Sequence, residues 1–176
     1  MGTDNAAAGT SSRTRTLFSF PNPVNEVSAR LVAAGVVVMS VLTIAFDLRW
    51  ATIVIAYGFV ARVLTGPTLS PLGQFVTRVV TPRLGIAERP VAGPPKRFAQ
   101  GMGVAFSVTA LVLTGLGYWT AAEVFLGLLA AAAFLESAFG LCLGCKAFAI
   151  LMRVGMVPEE VCERCNDIWG THGATA

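Results

Sequence analysis

The sequence predicts an all-α fold: an integral membrane bundle of four transmembrane helices, an interfacial helix in the 66–97 connection and a short C-terminal cytoplasmic helix. Three observations predict it. Hydrophobic residues make up 55% of the chain and mean hydropathy is +0.68. Charged residues make up 13%, against about 25% in soluble domains, which is too little polar surface to coat a water-soluble globule. Long apolar runs with almost no charge recur along the chain, and such runs read as membrane spans. At 176 residues one bundle is the natural count. It divides into a disordered tail at 1–20, a membrane domain at 21–155, and a cytoplasmic helix and tail at 156–176.

The tail is rich in Ser, Thr and Ala and holds little to bury. No apolar core with a cleavage site follows Arg13 and Arg15 directly, so a cleaved signal peptide is not expected. Asn25 or Ser28 caps the first span, Ser28 to about Phe46, and Asp47-Leu48-Arg49 forms a polar turn. The second span runs from Trp50 to about Leu64 and stops at Gly66-Pro67. Ser70-Pro71 then signals a helix start, and Leu72, Phe75, Val76, Val79 and Val80 lie at helical spacing, which predicts an amphipathic helix in the interface. Pro82, Pro90, Pro94 and Pro95 interrupt the chain before a third span from about Phe98 to Gly117. The fourth starts near Ala121 and is expected to stay helical to about Arg153. At about 1.5 Å per residue it outruns the roughly 30 Å hydrocarbon layer, so its last turns emerge from the bilayer.

Orientation follows from cation placement. Arg13, Arg15, Arg30, Arg78, Arg83, Arg89, Lys96, Arg97, Lys146, Arg153 and Arg164 fall on one side, and Arg49 alone on the other. Both termini are therefore expected in the cytoplasm, with the chain in the cell membrane. Nucleic acid is excluded as a partner, because the net charge is only +3 and no basic face is interleaved with aromatics.

The four cysteines form two Cys-x-x-Cys pairs, Cys142/Cys145 closing the last apolar run and Cys162/Cys165 in the charged C-terminal segment. A helix from Pro158 to about Trp169 is expected to carry the second pair, and a fold-back near residues 155–156 would put Cys145 and Cys165 nearly level, with Cys142 one turn deeper toward the membrane and Cys162 nearer the turn. Each pair is spaced i, i+3 and shares one helix face. Two chemistries stay open. The pairs are redox-active dithiols that pass electrons or sulfur by exchange, or the four thiolates hold one zinc or rubredoxin-like iron. A cytoplasmic location argues against permanent structural disulfides, and buried inert thiols are the third reading. Lys146 and Arg164 adjoin the cysteines and are the candidates for lowering a thiol pKa.

Arg62 and Glu136 lie within spans, where charges are costly and pair inside the bundle. An Arg62–Glu136 pair that fixes helix register is expected. On a straight helix Glu136 points away from both cysteines of the first pair, so it is not expected to activate them. Glu123 reads as a helix-start carboxylate, and His172, the single histidine, as a tail residue. Gly101-x-Gly103 lacks the preceding strand of a nucleotide fingerprint, and no internal repeat points to a transporter.

Three motifs together carry a resemblance: Arg62-x-x-x-Gly66-Pro67-x-x-Ser70-Pro71-Leu72-Gly73, Pro94-Pro95-Lys96-Arg97-Phe98-Ala99-Gln100, and Phe139-Gly140-Leu141-Cys142-Leu143-Gly144-Cys145. Over roughly residues 21–155 the chain resembles the bacterial domain-of-unknown-function 4395 family of four-helix membrane proteins with a Cys-Leu-Gly-Cys motif. That resemblance implies thiol-redox or sulfur-relay work with a thioredoxin-like or rhodanese-like partner. The alternative is a non-enzymatic membrane subunit whose four cysteines hold zinc or iron at a docking surface. Cys162 and Cys165 fall outside the resemblance.

Overall fold

The computed structural model describes residues 24–85, 90–91 and 93–156. Its helices, in chain order, are α1 (Glu26–Ala45), α2 (Ala51–Thr65), α3 (Pro71–Phe75), α4 (Thr81–Leu84), α5 (Gly93–Gly115), α6 (Trp119–Phe139) and α7 (Leu143–Arg153), with a π-helical turn, Val76–Val80, joining α3 to α4. Two dipeptide strands, β1 (Val24–Asn25) and β2 (Pro90–Val91), pair antiparallel with Val24 opposite Val91. The all-α class is as expected.

Local chemistry sets the ends. The Asn25 side chain accepts from the Val27 N–H at 3.0 Å and Glu26 occupies the first turn of α1, an acid where the helix dipole favours one. At the far end Asp47 takes φ 51°. Its carboxylate accepts from the Trp119 indole N–H at 2.6 Å, while Arg49 lies over the same ring, so the α1–α2 turn is pinned to the start of α6. Ser70 caps α3 through the Gly73 N–H, with Pro71 in the first turn.

Three helices, α1, α5 and α6, are long and apolar enough to cross a membrane, with window hydropathies of 2.1, 1.5 and 1.7. The 15-residue α2 is apolar but shorter; at about 1.5 Å per residue it reaches only about 22 Å. Helix α1 packs chiefly on α6, α2 on α5, and α5 on both α6 and α7. The core is Ala33 and Val36 of α1, Ile55 and Phe59 of α2, Ala110 of α5, and Ala122, Leu126, Leu129 and Ala133 of α6. Small residues allow this closeness: a Cβ on Gly103 would collide with the Phe59 ring.

Several expectations need correction. Helix α5 begins at Gly93, not near Phe98, because Pro94 and Pro95 sit in its first turn, where the missing N–H groups have no partner to lose. The fourth span is not continuous to Arg153: it ends at Phe139, and a separate helix starts at Leu143. The 71–84 segment is helical but divided into α3, the π turn and α4. Phe75 is exposed while Gly73 and Val76 are buried, and the π turn shifts the register beyond them. The expected Pro158–Trp169 helix lies outside the described residues.

Candidate thiol site

Gly140 makes the site. It takes φ 67°, a left-handed conformation, and its N–H closes the last turn of α6 on the Glu136 carbonyl at 3.0 Å. Glycine is the residue suited to that helix end, and a Cβ there would also run into the Arg30 guanidinium. The chain then turns, and Cys142 stands extended (φ −78°, ψ 101°) as the N-cap of α7, its Sγ accepting the Cys145 N–H at 3.4 Å. A sulfur thus fills the place where serine or aspartate usually caps a helix. The positive helix end favours the thiolate there.

Two contacts dock α7 on the first turns of α5. The Phe148 and Phe98 rings stand 5.6 Å apart. Gly144 lies directly on the backbone of Ala99, where a Cβ would come within 2.5 Å of the Ala99 Cβ and 3.2 Å of its amide nitrogen. Backbone cannot yield as a flexible side chain can. Gly144→Ala is therefore expected to lever α7 off α5 and cost about 1–3 kcal/mol, read as a lower thermal midpoint in detergent. A midpoint equal to the parent's would show that the two backbones are not in contact.

That docking places Lys96 beside the thiols. Lys96 is only 9% exposed; its Nζ donates to Glu136 Oε1 at 2.5 Å. With Cys142 and Cys145 it lines a cavity of about 490 Å³, together with Lys146, Glu26 and Val91 of β2. The Cys142 thiol is held below its ordinary pKa, first by the hydrogen bond it receives from the Cys145 thiol, then by the Lys96 ammonium and the Cys145 N–H. Cys145 is pushed up, because its proton is held against Cys142 and because it is partly buried. Cys142 is the more acidic thiol and Cys145 the more exposed one. The thiolate is the reactive form of a cysteine, and Cys142, 8% exposed, is reached through the cavity.

Arg62 and Glu136 do not bond to each other. Glu136 takes Lys96, and the Arg62 Nε donates to Gln100 Oε1 at 3.1 Å, with the guanidinium over the Phe59 ring. Arg62, Gln100, Lys96 and Glu136 nevertheless surround one small interior cavity of about 50 Å³. The expected cation beside the thiols, Lys146, lines the larger cavity, but the cation that acts on both sulfurs is Lys96, opposed by Glu136. The sequence marked Lys96 as one of the orientation-setting cations and as a member of the Pro94–Gln100 motif, not as a neighbour of the thiols. Its place one helical turn before Gln100, just after two first-turn prolines, was the available signal. Arg164, Cys162, Cys165 and His172 lie outside the described residues. Among the described residues no group of three or more His, Cys, Asp or Glu side chains converges to hold a metal.

No curated protein and no solved structure matches the chain. A protein-family model does, over residues 24–153, a stretch that holds every described side chain of the thiol site. The chain belongs to the family described as "Domain of unknown function (DUF4395)".

Proposed function

We propose that this is a four-span membrane protein whose Cys142/Cys145 pair carries out thiol-redox or sulfur-relay chemistry with a thioredoxin-like or rhodanese-like partner. The observation that carries the reading is Cys142 at a helix N-cap, hydrogen-bonded by Cys145 and facing, with Lys96, an open cavity. The step balances as follows. The Cys142 thiolate attacks one sulfur of an incoming disulfide, R–S–S–R′, forming Cys142–S–S–R and expelling R′S⁻, which takes a proton from solvent. Cys145 gives its proton to solvent and attacks the Cys142 sulfur, closing the Cys142–Cys145 bond and expelling RS⁻. Two electrons pass from the site to the disulfide. In the sulfur-relay form, the same thiolate takes the outer sulfur of R–S–SH and releases RSH, leaving a persulfide on Cys142.

In this reading α2 is the fourth span. Its apolar residues Ile53, Val54 and Leu64 face outward, and local bilayer thinning accommodates a short span. The cations Arg78, Arg83, Lys96, Arg97, Lys146 and Arg153 support a cytoplasmic thiol end.

The test is a free-thiol titration of detergent-purified protein with and without reductant, alongside elemental analysis. The dithiol reading expects no metal and two thiols per pair that appear only after reduction. About one zinc or iron per chain, lost when either pair is changed to serine, would instead establish the metal-held docking site.

A further inference from the structure

A second cavity, of about 330 Å³, opens between α1, α2 and the start of α3, lined by Val36, Met39, Val54, Gly58, Arg62 and Phe75 among others. Its volume falls in the range of small-ligand sites. Val54, Gly58 and Arg62 recur every four residues, so this face of α2 carries the cavity for about 12 Å. Its lining is mostly apolar, with Tyr57, Arg62 and Ser70 as the polar members. Met39, Val54 and Ile55 line it toward the start of α2, and Arg62 lies toward the end.

Arg62 is buried with a single side-chain hydrogen bond among the described residues. It is 4% exposed, and among the described residues only its Nε is hydrogen-bonded, to Gln100. Glu136, the one carboxylate beside it in the interior cavity, is taken by Lys96 at 2.5 Å. Arg62, Lys96 and Glu136 together hold one positive charge in excess. A buried guanidinium with one hydrogen bond and no carboxylate in contact among the described residues is costly within a bundle and calls for an anion. An acidic head group is the matching chemistry, since guanidinium donors fit a carboxylate in pairs.

We propose that this cavity binds a single-chain anionic amphiphile, its carboxylate on Arg62 and its chain running between α1 and α2 past Gly58. The site does not depend on the thiols, and its failure would leave the dithiol reading untouched.

The probe is dodecanoate, added to the full-length protein in uncharged detergent and followed by native mass spectrometry and thermal unfolding, with uncharged methyl dodecanoate as the comparison. Dodecanoate is expected to bind one per chain, saturably, and to raise the midpoint; the methyl ester is not. Arg62→Gln is expected to weaken binding at least about tenfold, the size of one charge-assisted hydrogen bond. Gly58→Leu guards against misfolding of that variant. A Cβ at Gly58 meets nothing within 4 Å, and leucine favours helix over glycine, so this protein folds with its cavity filled and is expected to lose binding. Absence of saturable binding, equal binding of the ester, or binding that survives Gly58→Leu would overturn the proposal.

Discussion

Cys142→Ser is expected to abolish thiol exchange altogether while leaving the fold intact, because serine caps a helix at least as well as a thiol. Cys145→Ser is expected to behave differently: the first bond forms, no second thiol resolves it, and a mixed disulfide accumulates on Cys142. Mass spectrometry after exposure to a small disulfide separates the two outcomes. The pH dependence carries the same asymmetry. A thiol held below its ordinary pKa is ionised above that lowered value, so alkylation of Cys142 is expected to persist to more acidic pH than that of an ordinary thiol. It falls only as pH drops through the lowered pKa. Lys96→Met removes a positive charge beside the sulfur and is expected to move the profile toward higher pH. Equal alkylation profiles for the two cysteines would remove the basis for choosing Cys142 as nucleophile.

Glu136→Leu is expected to destabilise the protein by about 3–5 kcal/mol, because it leaves the Lys96 ammonium buried without its carboxylate. The partner substitution, Lys96→Met, leaves Glu136 stranded in the same way, although Arg62 is near enough to interact with it electrostatically and limits the loss. The double variant Lys96→Met/Glu136→Leu is expected to recover most of the stability, since apolar side chains of similar size often replace a buried pair at little cost. Unfolding of all four proteins in one detergent gives the coupling energy. Additive losses would mean that the 2.5 Å contact contributes nothing of its own.

The sequence showed the apolar runs and stop signals plainly, and α1 and α2 lie within a residue or two of their expected bounds. The thiol site was legible in part. The Cys142–Cys145 spacing was evident, but the groups around it were not, for two physical reasons. Gly140 carries no mark that separates a left-handed helix end from a small residue at a close contact, and apolar residues continue on both sides of it. Reading through it projected Glu136 along a straight helix, away from the cysteines. The second reason is proline: Pro94 and Pro95 end a helix when they lie within one and begin it when they lie at its first turn. Read as interruptions, they took Lys96 out of α5 and so hid its side chain from the bundle. Composition alone also had no means of choosing which cation Glu136 would take, because Arg62 and Lys96 both belong to the same end of the molecule.

The short pairing of β1 with β2 bears on how the protein is made. Val24 cannot meet Val91 until α1 and α2 have both been synthesised, so β1 waits for its partner strand while those helices are made. Pro90 and Val91 are also walls of the thiol cavity. The chamber around Cys142 is therefore walled on one side by a seam between Val24–Asn25 and the stretch that leads into α5. Both strands of that seam precede Cys142 and Cys145 in the chain, so this wall of the chamber can form before the thiols that it borders are made.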